Sequence, residues 1–128
     1  MNYQNDNYPL SNETSITIGI AMEVHRNFGR GFSEIVYKDA MEYEFGKRDI
    51  DYKREKEFSI KYKDIILPHR FYADFVVFDA VILEIKAQKG IAEEHYTQTI
   101  NYLAASKCNV GLILNFREAS LIFKRVIL

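Results

Sequence analysis

The sequence contains no tryptophan, one cysteine and no long apolar run. Because Cys108 stands alone, no disulfide can form within the chain and no cysteine-rich zinc site can be built. The first twelve residues, MNYQNDNYPLSN, lack the cationic flank and apolar stretch of a secretory signal. The apolar run 75–85 is short and is interrupted by Asp79 and Glu84, which excludes a membrane span there. These absences predict a cytoplasmic protein without a membrane partner.

The chain also lacks an excess of charge of either sign, with 17 Lys and Arg against 18 Asp and Glu. Binding polyanions through bulk charge needs a positive surface, so this balance excludes that mode but leaves room for a local basic groove. Residues 47–63 hold seven basic side chains against four acidic ones. We interpret this run as a solvated strand edge, with a phosphate-binding track as the alternative.

Core-forming residues are plentiful, since 48% of the 128 residues are hydrophobic and 18 are Tyr or Phe. This composition is ordinary for a globular protein and the length suits one core. Without a repeat, a low-complexity tract or a credible linker, the chain is predicted to form a single domain at 11–128, preceded by a flexible arm at 1–10.

Apolar residues spaced by three or four positions predict three helices. The first covers 13–28 after a cap at Ser11 or Asn12, the second begins after Ser33 and ends at Gly46, and the third lies within 91–107. The predicted buried positions are Ile16, Ile20, Val24 and Phe28; Val36, Ala40 and Tyr43; and Ala92, Tyr96, Ile100 and Leu103.

Alternation of apolar and polar residues begins at position 52 and predicts strands between and after these helices. We expect a turn at the Lys-Asp pair 63–64 and an interruption at Pro68. The apolar segment VGLILNF is typical of a strand that is covered on both sides. The remaining strands are expected at 70–78, 81–87 and 121–127. The element order predicts an α/β fold with a mixed central sheet flanked by helices.

The segment VILEIKA carries Glu84 within a run that otherwise suits a buried strand. A three-residue loop at 78–80 would pair Val77 with Val81 and therefore set Asp74 directly opposite Glu84. This register puts apolar residues of both strands together on one face, and register follows the buried face. The two carboxylates would then lie side by side, at about 5 Å between their Cβ atoms.

Two carboxylates facing each other repel, so a compensating positive charge is expected beside them. One candidate is a divalent cation, because Mg²⁺ is commonly held by one or two carboxylates together with water and phosphate. The other is Lys86, which shares the face of Glu84, with water solvating the second acid. The pattern of residues fits both interpretations.

Several blocks of the sequence resemble the GxxExxY family. GFSEIVY at 31–37 has the form that names the family, and YADFVVFDAVILEIKA, QTINYL and VGLILNF follow in the same order over about residues 24–125. That family is assigned to the PD-(D/E)XK nuclease superfamily. The resemblance therefore implies a restriction-endonuclease-like αβββαβ core, here with an extra N-terminal helix and an extra C-terminal strand.

The same resemblance assigns roles to particular residues. Asp74 and Glu84 would bind Mg²⁺ or Mn²⁺, with the Ile85 carbonyl as a third ligand, and Lys86 would orient the attacking water or steady the phosphate. Glu34 resembles an extra acid of the metal site; its alternative role is compensation of the helix dipole. The other residues expected at the site are Gln98, which matches the family element Gln-x-x-x-Tyr, and Tyr37 and Tyr102, both expected to contact substrate.

These roles describe a metal-dependent nuclease that acts on DNA. Ala73 stands where many members have proline before the first acid, a departure that leaves the role of Asp74 intact. The alternative is a catalytically silent module that keeps the fold and binds nucleic acid or protein. His95, Gln98 and Tyr102 would then form only a polar helix margin, which is the interpretation we favour for His95. Because the chain is small, we also expect a homodimer.

Overall fold

The structure is a computed structural model that describes residues 9–128. Its elements follow the predicted order of helix, helix, three strands, helix and two strands. Residues 1–8 of the predicted flexible arm lie outside the described part. The elements are α1 (Ser11–Phe28), α2 (Glu34–Lys47), β1 (Tyr52–Tyr62), β2 (Ile65–Val77), β3 (Val81–Lys86), α3 (Glu93–Ser106), β4 (Val110–Asn115) and β5 (Ile122–Ile127).

The five strands form one mixed sheet in the order β1-β2-β3-β4-β5. Only the β3–β4 pair is parallel, because α3 carries the chain from one to the other, and the remaining neighbours are antiparallel. The core of α1 and α2 packs on strand residues such as Phe75 and Leu83, whereas α3 packs on Val76 and Ile82. Successive strand residues face opposite sides, so helices cover both faces and the predicted α/β architecture is confirmed.

Strand β4, which has a neighbour on each side, is buried at every position, as its apolar sequence predicts. Gly111 on this strand allows a close approach of α3. A Cβ atom at Gly111 would lie 2.6 Å from the Cγ2 atom of Thr99, much closer than two carbon atoms can pack. The absence of a side chain at this position therefore sets how closely α3 packs on the sheet.

Strand β2 is longer than predicted, because it continues through Pro68 and begins at Ile65. The expected turn is confirmed, since Tyr62 pairs with Ile65 and leaves only Lys63 and Asp64 between the strands. The register between β1 and β2 shifts between Ser59 and Lys61, opposite the segment that contains Pro68. Proline cannot donate a ladder hydrogen bond, and such an irregularity accommodates it without ending the strand.

The buried faces of the helices match the predicted ones in part, since Ile20, Val24 and Leu103 are buried as expected. Ile16, Phe28 and Tyr43 were expected in the core but are 40%, 42% and 65% exposed. Tyr96 and Ile100 are only half-buried, at the edge of the core. The side chains that are buried instead include Thr14, Thr17, Ile18, Ala21 and His25 in α1, Tyr37, Met41 and Phe45 in α2, and His95, Thr99 and Tyr102 in α3.

Local hydrogen bonds explain why polar residues can take these buried positions. The Thr17 hydroxyl donates to the Glu13 carbonyl at 2.9 Å, and the Thr99 hydroxyl donates to the His95 carbonyl at 2.8 Å. A hydroxyl that is satisfied by its own helix leaves a methyl group to pack on the sheet. A pattern that counts threonine as polar therefore places the buried face of the helix wrongly.

Helix ends also differ slightly from the prediction. Helix α1 already begins at Ser11 and its N-cap is Leu10, so neither Ser11 nor Asn12 caps it. Helix α2 begins directly after Ser33 as predicted but continues past Gly46 to Lys47. In the described part of the chain, no helix is long and apolar enough to cross a membrane.

The basic run at 47–63 falls largely on β1, which is an edge strand of the sheet. Several of its cations pair with acids of neighbouring elements: Arg54 lies 2.8 Å from Asp39 of α2, and Arg48 pairs with Glu23 of α1. The basic run therefore lies on a strand edge, as predicted. The alternative, a phosphate-binding track, stays a prediction.

Candidate active site

The hairpin between β2 and β3 has the register that was predicted from the apolar face. Val77 pairs with Val81, Val76 with Ile82 and Phe75 with Leu83, so the loop is 78–80. Regular pairing ends there, and continuing the same register by one step brings Asp74 opposite Glu84. The two acids therefore lie where β2 and β3 begin to separate.

Asp74 and Glu84 are tied to each other's strand by reciprocal hydrogen bonds. The backbone N–H of Asp74 donates to Oε2 of Glu84 at 2.8 Å, and the N–H of Ile85 donates to Oδ2 of Asp74 at 2.8 Å. Each carboxylate thus accepts from a backbone donor at the point where the regular ladder ends. These bonds hold both carboxylates in fixed positions side by side.

Both acids are buried, with Asp74 8% and Glu84 3% exposed. Burial and, after it, the negative charge of Asp74 raise the pKa of Glu84 to about 8. The hydrogen bond from the Asp74 backbone and the charges of Lys86 and Lys38 act in the opposite direction. The neutral form of Glu84 is therefore favoured unless more positive charge is brought to the pair.

Lys38 of α2 supplies a positive charge that the sequence interpretation missed. Its Nζ atom lies 2.7 Å from Oδ1 of Asp74. Burial alone would lower the pKa of Lys38, but the hydrogen bond and charge of Asp74 outweigh it and the pKa is raised. The available signal was its spacing: Lys38 follows Glu34 by four residues and so lies on the same face of the helix.

Glu55 of β1 is a second residue that the sequence interpretation missed. The pairs Arg54–Phe75 and Lys56–Ala73 bracket it, so it lies opposite Asp74 on the other side from Glu84. Its backbone φ is +52°, a left-handed conformation that costs a residue other than glycine about 1 kcal/mol. In this position Oε1 of Glu55 accepts a hydrogen bond from Lys38 at 3.4 Å.

Glu34 and Lys86, both predicted at the site, lie at its margins. The Glu34 carboxylate is 3.9 Å from Nζ of Lys38, and this ion pair is what links it to Asp74. Lys86 is half-buried and its charge lowers the pKa of Glu84, but within residues 9–128 it has no carboxylate within 4 Å. The direct ion pair that we considered for Lys86 is therefore made by Lys38.

Tyr37 does not lie at the site surface. Its side chain is fully buried, its ring stacks on Phe116 at 4.4 Å between centroids, and its hydroxyl donates to the Gly29 carbonyl. The same hydroxyl accepts from the Phe32 N–H at 3.3 Å. A side chain without exposed surface cannot contact substrate, so the predicted binding role of Tyr37 is wrong; it anchors the loop before α2.

Gln98 and Tyr102 of α3 line an open groove of about 560 Å³ beside the acid pair. Arg70 and Tyr72 of β2 form the opposite wall, and Tyr72 is 51% exposed. Burial, followed by the negative charges of Glu84, Asp74 and Glu55, raises the pKa of Tyr102 to about 12, so its hydroxyl remains a proton donor at neutral pH. The groove brings together the two α3 residues that the sequence predicted.

His95, which we interpreted as part of the polar helix margin, is instead 8% exposed and helps to begin α3. Its Nδ1 atom accepts a hydrogen bond from the Ala92 N–H at 3.0 Å. The Nε2 atom lies 3.2 Å from the side-chain nitrogen of Gln88. Both ring nitrogens therefore have partners within the protein.

The chemistry of the acid pair fits a divalent cation. Carboxylate oxygens are the ligands that Mg²⁺ prefers, and the Lys38 ammonium at Asp74 shows that positive charge is stabilised there. Among residues 9–128, no group of three or more His, Cys, Asp and Glu side chains is arranged to hold a metal ion. Asp74 and Glu84 would thus supply the anionic ligands, with backbone, water or substrate oxygens completing the set.

Comparison with known proteins agrees with this fold. The sequence profile of the PD-(D/E)XK nuclease superfamily matches residues 11–126. The crystal structure of SSO0001 superposes with a TM-score of 0.58 and 17% identity, over 73% of this chain and 50% of that chain, which is a likeness of fold alone. A search of curated proteins finds no match. Because the profile spans nearly the whole sequence, the chain belongs to the PD-(D/E)XK nuclease superfamily.

Proposed function

We propose that the protein is a Mg²⁺- or Mn²⁺-dependent nuclease that hydrolyses phosphodiester bonds in DNA, and that it is a GxxExxY member of its superfamily. The observation that carries this proposal is the pair of buried carboxylates fixed by reciprocal hydrogen bonds at 2.8 Å. Burying two carboxylates side by side costs free energy unless a positive charge stabilises them. A divalent cation bound at the pair would supply this charge and would make both acids its ligands.

In this proposal Asp74 and Glu84 are the anionic metal ligands and the Ile85 carbonyl is a third. A divalent cation held there supplies Lewis acidity and a more acidic bound water. The Ile85 N–H already orients Asp74, so the same residue would contact the site through both of its backbone polar groups. Glu34 would join from α2 by moving toward Asp74 from its present contact with Lys38.

Lys86 is the residue proposed to assist the attacking water or to steady the phosphate. It follows Glu84 by two positions on β3 and so points from the same face of the strand. Within the described residues no carboxylate neutralises it, which leaves its ammonium available to an anionic substrate. A compact charge on a flexible stem suits both roles.

The groove between β2 and α3 is the proposed place of the nucleic acid. The exposed Tyr72 ring offers a stacking surface and Gln98 offers an amide, whereas the charge of Arg70 is already paired with Glu57 at 3.2 Å. Aromatic stacking and backbone contacts of this kind bind single-stranded nucleic acid with little sequence preference. The Tyr102 hydroxyl, neutral at physiological pH, would donate to a phosphate or to a water molecule.

Cleavage assays with the purified full chain test the proposal. Labelled single-stranded and duplex DNA and matching RNA are incubated with Mg²⁺, with Mn²⁺ and with EDTA. We expect metal-dependent cleavage of DNA that falls at least about 100-fold in Glu84→Gln and in Lys86→Ala, the loss typical for removing a group that stabilises the transition state.

Lys89→Ala is the matched control, because Lys89 is an exposed lysine three residues further along the chain. Its activity should equal that of the unmodified protein. Cleavage at the same rate in Glu84→Gln as in the unmodified chain would place the activity elsewhere and contradict the proposed site.

A second candidate function is a catalytically silent module that binds nucleic acid or protein. The observation that favours it is the Lys38–Asp74 ion pair, which neutralises one of the two acids without a metal. Titration with Mn²⁺ distinguishes the two functions. Binding that is abolished by Asp74→Asn favours the nuclease, whereas no binding at millimolar metal favours the silent module.

A further inference from the structure

Carboxylates from three elements surround the ammonium of Lys38. Nζ lies 2.7 Å from Asp74 on β2, 3.4 Å from Glu55 on β1 and 3.9 Å from Glu34 on its own helix. The side chains of Lys38 and Asp74 are 13% and 11% exposed, whereas that of Glu55 is 53% exposed. The contact with Asp74 is therefore both the shortest and the best shielded from water.

Both oxygens of Asp74 are already engaged in this arrangement. Oδ2 accepts from the Ile85 N–H and Oδ1 accepts from Lys38. A divalent cation that approaches Asp74 would meet a positive charge in contact with the same carboxylate. Like charges at such short range repel appreciably even at the effective dielectric constant of a protein surface. Lys38 and the cation therefore compete for Asp74.

Glu55 lies where its carboxylate can pair with the Lys38 ammonium once that ammonium has left Asp74. It lies opposite Asp74 in the β1–β2 ladder and already shares a hydrogen bond with Nζ. A lysine side chain has a flexible four-carbon stem, so a small rotation exchanges the nearer acceptor for the farther one. The left-handed backbone of Glu55 is the local feature that sets its carboxylate beside this lysine.

We propose that Lys38 is the internal counter-cation of Asp74 and that a divalent cation displaces it toward Glu55. This inference rests on the metal site of the proposed function. Lys38 then weakens the affinity for the metal, and Glu55 strengthens it by stabilising the displaced ammonium. Both are positioning residues, since each acts on the metal site through Asp74.

A mutant cycle with Mn²⁺ as the probe tests this inference. The metal affinity of the full chain is measured by electron paramagnetic resonance in the unmodified protein, Lys38→Met, Glu55→Gln and the double variant. We expect Lys38→Met to bind Mn²⁺ about 5- to 100-fold more tightly, the usual range of coupling between two sites. Glu55→Gln should weaken binding several-fold when Lys38 is present and much less in the Lys38→Met background.

The cycle separates two effects of Glu55. Direct attraction between Glu55 and the metal is present in both backgrounds, whereas stabilisation of the displaced ammonium requires Lys38. Lys47→Met is the matched control, because Lys47 is an exposed lysine of the same helix, and its affinity should not change. Thermal unfolding of each variant checks that it is folded.

A second measurement uses the unmodified side chain. In protein labelled with ¹³C at the lysine ε carbon, the Lys38 resonance should shift on addition of Mg²⁺ and saturate with the affinity of the metal site. Asp74→Asn should abolish the shift. This readout remains informative if Lys38→Met fails to fold.

The outcomes distinguish this inference from the proposed function. Equal Mn²⁺ affinity with and without Lys38, or weaker binding in Lys38→Met, overturns the counter-cation role and leaves the metal site standing. Tighter binding in Lys38→Met without nuclease activity in any variant supports the counter-cation role and overturns the nuclease. If none of the four proteins binds Mn²⁺, both proposals are overturned.

Discussion

Asp74 and Glu84 show how a sheet can hold two like charges next to each other. Each accepts a backbone N–H from the other strand, and Lys38 neutralises the charge of Asp74. Among residues 9–128, Glu84 has no cation in contact comparable to Lys38, and its pKa is raised to about 8. The protonation of this one carboxyl group therefore has consequences for stability.

In the metal-free protein, we expect stability to fall as the pH rises from about 4.5 to about 8. The folded chain keeps a proton on Glu84 up to about pH 8, whereas the unfolded chain loses it near pH 4.5. Between these values the folded state binds more protons, so the free energy of unfolding decreases with pH and then levels off. The size of the effect is a few kcal/mol, since one pKa unit corresponds to about 1.4 kcal/mol.

Urea unfolding in EDTA at several pH values measures this effect in the unmodified chain and in Glu84→Gln. The variant cannot ionise at this position, so its stability should change less with pH over the same range. Glu94→Gln, at an exposed position of α3, should keep the slope of the unmodified protein. Parallel pH profiles for the unmodified chain and Glu84→Gln would contradict the prediction.

The positions of the helices on the sheet depend on glycine and threonine residues as much as on large apolar residues. Thr17 and Thr99 satisfy their hydroxyls within the helix, and the methyl group of Thr99 lies beside Gly111 of β4. Gly111 lets α3 come within contact distance of β4. Because α3 also carries Gln98 and Tyr102, its distance from the sheet determines the width of the groove beside the acids.

Gly111→Ala is therefore expected to destabilise the protein by about 1–3 kcal/mol, the usual cost of an extra methyl group in a packed core. The added Cβ would meet Thr99 Cγ2 at 2.6 Å. Replacing Thr99 by serine removes that methyl group and keeps the hydroxyl, so Thr99→Ser should recover part of the loss. Chemical denaturation of the two single variants and the double variant measures the coupling.

Gly46→Ala serves as the control, because a Cβ atom at Gly46 in α2 would have no tertiary contact within 4 Å among the described residues. Alanine favours a helix more than glycine does, so this change should stabilise the protein by up to about 1 kcal/mol. If Gly111→Ala cost no more than Gly46→Ala, close packing of α3 on β4 would not be the reason for this glycine.

We expect the 128-residue chain to form a homodimer. One chain of 128 residues carries one acid pair and a net charge of −1, which offers little surface for holding a duplex with two strands. A second copy would double the binding surface and bring a second acid pair. Light scattering after size exclusion should give twice the 15.0 kDa of one chain. A single 15.0 kDa species, with and without DNA, would contradict the expectation.

The order of elements, the covered strand β4 and the placement of Asp74 beside Glu84 all followed from the sequence, because they depend on local periodicity and on which residues a hairpin must bury. The partners of these acids did not follow. Lys38 and Glu55 lie 36 and 19 positions before Asp74 in the sequence. They meet it because Lys38 reaches Asp74 from α2 and because Glu55 lies opposite Asp74 in the pairing of β1 with β2. Such contacts depend on how elements distant in the sequence pack together, which periodicity does not encode.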